Sequence, residues 1–167
     1  MAGSGPIVIG YDGSPPAERA LHEAGGLLRG RPAVVVVVHR PGVAFQMVEL
    51  PAATIGLPPA PIDIRTALEL EEELAEAAQR LARHGAELAK EAGLDAEGLA
   101  VADETDVSVA DTLVRIAWER NAQAMVVGTH GYGPLGEVVL GSTSRQVIRH
   151  AACPVIVARA LEEDQRG

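Results

Sequence analysis

The sequence is poor in the residues that several kinds of function require. It contains one cysteine, Cys153, so no disulfide can close within the chain, and this suits a reducing compartment. Its aromatic residues are Tyr11, Phe45, Trp118 and Tyr132, too few and too scattered for a base-stacking platform. Lysine occurs once, at Lys90. Acidic residues outnumber basic ones 23 to 14, for a net charge of −9, which repels nucleic acid phosphates unless a basic patch overrides it. No such patch is visible, and no nucleic-acid partner is expected. No apolar run approaches the roughly 20 residues of a membrane span. The longest, Ala33 to Val38, has the length of a strand. Residues 1–6 lack the basic stretch and apolar core of a signal peptide, so the expected location is the cytoplasm, away from membranes. What is present suffices for a core. With 167 residues, 47% of them apolar, the chain is expected to form one domain over 1–160, followed by a frayed tail at 161–167.

The order of elements follows from periodicity and turn signals. Pro6 to Gly10 is a short β-branched run that stops at Tyr11-Asp12-Gly13-Ser14. Ser14 is placed to cap a helix whose first position is Pro15, where a missing N–H costs nothing. Ala17, Ala20, Leu21, Ala24, Leu27 and Leu28 then recur at helical spacing, and Gly30 marks the stop. Ala33–Val38 is apolar without alternation, as a parallel strand covered on both faces would be. Residues 40–64 are interrupted by Pro41, Pro51, Pro58, Pro59 and Pro61 and read as a loop insertion. A helix is predicted from about Arg65 to Ala92, with Leu70, Leu74, Ala77, Ala78, Leu81, Leu88 and Ala89 on its inner stripe. Leu99–Ala102 reads as a third strand and Ser108–Glu119 as a helix capped by Ser108 or Asp106. Ala124–Gly128 reads as a fourth strand, Ser144–His150 as a short helix and Pro154–Arg159 as a fifth strand. Trp118 and Cys153 are expected in apolar, buried settings. Strands alternating with helices imply an α/β fold, a parallel open sheet with helices on both faces.

The stretch that carries chemistry is Gly128-Thr-His-Gly131, continuing to Gly141-Ser142-Thr143-Ser144. It leaves the fourth strand and enters the last helix. Backbone N–H groups at a helix entrance lack partners and lie at the positive end of the helix dipole, so they suit an anion, and phosphate above all. Glycines at 128, 131 and 141 let backbone approach a ligand where a Cβ would collide. Taken singly, each of these residues is an ordinary cap or turn residue; it is their concurrence here that points to a ligand.

Two common phosphate motifs do not apply. A P-loop needs lysine immediately before the Ser or Thr of the helix start, and Gly141 stands there. Gly131-Tyr-Gly133-Pro-Leu-Gly136 matches the dinucleotide fingerprint literally, but it lies near the C-terminus rather than in a first βαβ unit, and it contains Pro134. The five histidines, His22, His39, His84, His130 and His150, show no metal-ligand spacing, and no metal site is assigned.

The spacing Gly128-x2-Gly131-x9-Gly141-Ser142 resembles the nucleotide-binding signature of the ATP-binding branch of the universal stress protein family. The likeness extends to Tyr11-Asp12-Gly13-Ser14, to the variable connection after the second strand, and to Ala152-Cys153-Pro154-Val-Ile-Val. It implies a Rossmann-like sheet of five parallel strands in the order 3-2-1-4-5. It further implies an adenine nucleotide, ATP with Mg2+, held as follows. Asp12 contacts the nucleoside, and the backbone of Val38, His39 and Arg40 lies along the adenine edge. Gly128 and Gly131 follow the ribose and phosphates, and Gly141, Ser142, Thr143 and Ser144 hold the phosphates. His130 is a rim residue. The last strand, 154–159, is expected to pair across a two-fold axis into a homodimer, since an exposed apolar edge invites pairing.

A cytoplasmic stress-response sensor or regulator is therefore expected, with slow hydrolysis or none. Phosphoryl transfer needs cationic clamps and a positioned nucleophile, and beyond Arg145 and Arg149 the motif offers no cation. No catalytic residue is assigned, and activity as an enzyme is limited to weak ATP hydrolysis at most. The alternatives are an ATP-cleaving or adenylate-forming enzyme on the same sheet, and a dimerisation protein without nucleotide. The former is disfavoured by Pro15 and Pro16, which lack the amide protons a phosphate-gripping first turn needs. The glycine spacing speaks against the latter.

Overall fold

The computed structural model describes residues 5–42, 64–103, 107–129 and 140–158. Within them strands and helices alternate as β1 (Ile7–Gly10), α1 (Pro15–Leu27), β2 (Pro32–His39), α2 (Ile64–Glu91), β3 (Asp95–Ala102), α3 (Val109–Glu119), β4 (Ala124–Gly128), α4 (Ser142–His150) and β5 (Val155–Ala158). Every strand pairing is parallel, and the sheet runs β3-β2-β1-β4-β5. That is the expected order.

Alternation along the strands divides the core in two. Ile7, Ile9, Val35, Val37 and Val126 face α1 and α2, with Ala20, Leu21, Ala24, Ala82 and Ala86 packed on them. Val8, Val34, Val36, Met125 and Val127 face α3 and α4, against Ala110, Leu113, Ile116, Ala117 and Val147. The central strands are covered on both faces, which is why their sequences are apolar without alternation. Each fully buried valine contributes roughly 1.5–3 kcal/mol relative to exposure, and Val8, Val34, Val35, Val36 and Val126 are all in that state.

Several elements differ from the sequence expectation for identifiable reasons. Strand β3 begins at Asp95 rather than Leu99, and all eight residues pair with β2. It is an edge strand, so Asp95 and Glu97 face water and hide its pattern. The buried face of α2 consists of Ala67, Ala78, Ala82, Gly85, Ala86 and Ala89, whereas Leu74 is exposed and Leu70, Leu81 and Leu88 lie half-buried. Small residues let this helix lie close to the sheet: a Cβ on Gly85 would come within 2.7 Å of the Tyr11 ring. Leu27 of α1 is likewise exposed. Trp118, expected in the core, is 74% exposed; it lies one residue beyond the inward Ile116–Ala117 pair and is turned about 100° away by the helix. Strands β1 and β5 each start one residue after their proline, Pro6 and Pro154. Helix α4 starts at Ser142, two residues earlier than expected, because Gly141 takes the capping position.

Candidate functional site

In an open parallel sheet, ligands collect beyond the carboxyl ends of the strands where the order reverses. Here that place lies between β1 and β4. A cleft of about 360 Å³ opens there, lined by the ends of β1, β2 and β4 and by the first turns of α1, α3 and α4. Its floor is apolar: Val36, Val38, Val109, Leu113 and Val127. The volume and the apolar lining with a few polar groups are those of a small-molecule site.

Two of the three helix N-termini at this cleft, those of α1 and α4, differ in chemistry. Helix α1 is closed at its start. Pro15 and Pro16 have no N–H, and the third amide, that of Ala17, donates to Ser14 Oγ at 3.4 Å. Helix α4 has Gly141 as its N-cap, in extended conformation, and no side chain caps it. Its first hydrogen-bonded amide is that of Arg145, donating to the Gly141 carbonyl at 3.1 Å. The N–H groups of Ser142, Thr143 and Ser144 therefore have no partner among the described residues, and Thr143 and Ser144 line the cleft. The Ser144 hydroxyl is engaged elsewhere: it donates to the Gly128 carbonyl at 2.8 Å and ties α4 to the end of β4. What Ser144 offers a ligand is thus its backbone amide.

Gly128 lines the cleft, but the space left by its missing side chain belongs to the protein. A Cβ there would come within 2.9 Å of the Pro16 carbonyl. The glycine admits α1, not a ligand, at that point. Asp12, exposed at the end of β1, also lines the cleft, and its Oδ1 accepts the Ser14 N–H at 3.0 Å. The turn bond and the lining position coexist, since the second carboxylate oxygen has no partner among the described residues.

Strand β2 outruns β1. Their pairing ends at Gly10 and Val36, where the Tyr11 N–H donates to the Val36 carbonyl at 2.9 Å. In a parallel ladder alternate residues turn their N–H and C=O to the same side. Val38 therefore presents a donor and an acceptor side by side, past the end of β1, and no described residue takes them. His39 turns the other way and accepts the Asp103 N–H at 2.7 Å. The side chains of His39 and Arg40 do not line the cleft. Arg40 is exposed, its Nε 3.9 Å from Asp103 Oδ2. Asp103 is buried and accepts the Thr112 hydroxyl at 3.0 Å.

Of the residues selected from sequence, Asp12, Val38, Gly128, Thr143 and Ser144 line the cleft. Gly141 and Ser142 stand at the α4 entrance beside it, and Gly131 and His130 lie outside the described residues. Apart from Val38, the apolar floor was missed, although the alternation of Val36 with Val38 and the start of α3 carried the signal. So was the Asp103–Thr112 pair, which no spacing announces. Tyr11, at the cleft edge, has a buried hydroxyl with no partner among the described residues; burial, then Glu18 and Asp12, push its pKa up.

A second hollow, of about 550 Å³, lies between the C-terminal half of α3 and the turn before β5. It contains the exposed Trp118 and the half-buried Cys153, whose thiol burial pushes above its ordinary range. Cys153, expected in an apolar, buried setting, packs against the core but is only partly buried. His150 pairs there with Asp111 through Nδ1 at 3.1 Å. Among the described residues no group of three or more His, Cys, Asp or Glu could hold a metal ion, and no helix is long and apolar enough to cross a membrane.

The chain is similar in sequence and fold to known proteins. A universal stress protein of Mycolicibacterium smegmatis is 32% identical over 94% of this chain, which spans about half (49%) of that relative's length. The structure of the universal stress protein from Archaeoglobus fulgidus in complex with dAMP is similar, with a TM-score of 0.54 and 24% identity over 94% of this chain and 98% of that one. A universal stress protein in complex with cAMP aligns with a TM-score of 0.58 and 23% identity, over 93% and 96% of the two chains. An Arabidopsis thaliana family protein with AMP bound gives 0.59 and 14%, over 96% and 94%. At these identities the structures show the shared fold. Residues 4–159 match the universal stress protein family, and the chain belongs to it.

Proposed function

We propose that this protein is an adenine-nucleotide-binding regulator of the stress response. The base lies on Val36, Val38, Val109 and Leu113. Its edge meets the free N–H and C=O of Val38 and, next in the same alternation, of Arg40, with His39 turned away between them. Asp12 accepts from the ribose hydroxyls, while Gly128 and Gly131 flank the sugar and phosphates. The phosphate rests on Gly141, Ser142, Thr143 and Ser144. The observation that carries this reading is the uncapped N-terminus of α4, whose amides have no partner among the described residues at a cleft that also holds an unpaired strand edge. The dAMP, cAMP and AMP of the related structures support it.

ATP enters the same site as its Mg2+ complex. The ion is held by the phosphates, with Asp12 the nearest protein carboxylate. Hydrolysis is slow because no Lys or Arg lines the described cleft and no base is positioned for a water. The protein works in the cytoplasm as one domain, and as a homodimer joined through 154–159, where β5 leaves an apolar edge.

The test is to denature the purified protein, identify any released nucleotide by chromatography, and titrate ATP and AMP into wild type and Gly141→Val. The valine suits the extended backbone at 141 (φ −60, ψ 163), so the fold is kept while a side chain crowds the amides. Unchanged affinity would sink the phosphate site. Elution as a monomer, by light scattering at micromolar concentration, would remove the dimer.

A further inference from the structure

We infer that Asp103 is a positioning residue for the nucleobase: without touching the ligand, it holds the strand wall and the helix wall of the cleft at the spacing a base requires, an inference that rests on the adenine-nucleotide reading above. Asp103 follows the last residue of β3 and is 4% exposed. Neither it nor Thr112 lines the cleft.

Three contacts leave Asp103 in different directions. Its N–H donates to the His39 carbonyl at 2.7 Å, one step past the pairing of His39 with Ala102. Its Oδ1 accepts the hydroxyl of Thr112, a fully buried residue, at 3.0 Å. Its Oδ2 lies 3.9 Å from Arg40 Nε. His39 and Arg40 directly follow Val38, which belongs to the strand wall. Thr112 stands in the first turn of α3, three residues after Val109 and one before Leu113, and these two form the helix wall. At that spacing Thr112 and Val109 share a helix face. One buried side chain therefore joins the two elements against which the base is read to lie.

Apolar packing alone would define this spacing less closely. Val38 and Val109 are only partly buried at the rim of the core, and hydrophobic contact has no preferred direction. The first turn of α3 could settle at several depths and still keep them covered. A hydrogen bond between two buried groups admits a narrow range of distance and angle. Burying a carboxylate costs free energy that an apolar pair of similar size would not. The geometry that Asp103 imposes on the two walls accounts for its place there.

Calorimetric titration of adenosine and AMP into wild type, Asp103→Ala, Thr112→Val and Asp103→Asn, each well below its melting midpoint, tests this. The alanine and valine variants remove the bond from either side. Each is expected to weaken both ligands by the same factor, about tenfold, because the base is common to them. Combining the two should cost no more affinity than Asp103→Ala alone. Asp103→Asn keeps an oxygen for the Thr112 hydroxyl and should restore affinity to within about threefold of wild type. A role in stability alone would lower the denaturation midpoint and leave the affinities of the folded protein unchanged. Affinities within about twofold of wild type in Asp103→Ala or, should that variant not fold, in Thr112→Val overturn the inference. So does an asparagine variant as weak as the alanine one, or a loss confined to AMP, which would place the effect at the phosphate end. Wild type that binds neither ligand overturns the adenine-nucleotide reading itself.

Discussion

The starts of α1 and α4 sit on one cleft and begin with small hydroxyl residues, yet they are opposite in chemistry. In α1 each of the first three amide positions is closed, two by proline and one by Ser14. In α4 the same three positions have no partner among the described residues, and its cap is Gly141, which has no side chain to fold back. A serine one place before a helix satisfies the helix, whereas serines inside the first turn leave it hungry for an anion. Position relative to the cap, more than the presence of Ser or Thr, decides which end can hold a phosphate.

The sharpest way to break this contrast is to give α4 the prolines of α1. Ser142→Pro together with Thr143→Pro removes two amide donors at positions where a helix tolerates proline. Each hydrogen bond to a charged group contributes about 1.5–3 kcal/mol, so adenine-nucleotide affinity should fall roughly a hundredfold or more. The melting temperature should move by only a few degrees. Retained affinity in a folded variant would show that the phosphate lies elsewhere.

The junction between the two helices offers a second test, read in stability. Gly128→Ala places a Cβ about 2.9 Å from the backbone oxygen of Pro16, and backbone does not yield as a side chain does. Overpacking of this kind costs about 1–3 kcal/mol, measurable as a lowered denaturation midpoint. No loss would mean that α1 does not press on β4. A third, smaller effect addresses α1 alone: Ser14→Ala removes its cap and should cost about 1 kcal/mol, while nucleotide affinity stays within about twofold.

The α1 side of this contrast was legible in the sequence, and the α4 side only partly. Ser14-Pro15-Pro16 announces a closed N-terminus, and Ser14 and Pro15 occupy the positions they predict. Strands covered on both faces were equally plain, since Ala33–Val38 needs no partner pattern to be read. The glycine spacing singled out the segment that enters α4, but the hydroxyls drew the helix start to Ser144, and the glycine immediately before them took the cap instead. That the Ser144 hydroxyl is bonded to the Gly128 carbonyl was not legible, because a side chain's partner cannot be read from its type. That Gly128 also admits Pro16 of α1 was hidden for the same reason, its neighbour being far off in sequence. The small-residue face of α2 was obscured because leucines dominate any apolar count, although alanines are what permit close approach. Long-range contacts, not local propensity, account for these gaps.

Helix α3 supplies a third N-terminus and the smallest predicted effect. Ser108 caps it through the Asp111 N–H at 3.1 Å, and Ser108 Oγ–H in turn donates to Asp111 Oδ2 at 2.7 Å. The hydrogen bond from Ser108, followed by the one from His150, holds the Asp111 carboxyl below its ordinary value of 3.8. A carboxyl lowered in the folded state stabilises the fold above its unfolded pKa, and that contribution is lost as pH falls through the folded value. The first turn of α4, by contrast, contains no acidic residue. Denaturation midpoints of wild type and Asp111→Asn, followed from pH 7 down to about pH 2, should therefore converge below pH 3.8. The difference at neutral pH should be small, since the pair is exposed to solvent. A gap that stays constant down the acid limb would show that Asp111 acts by shape and not by charge.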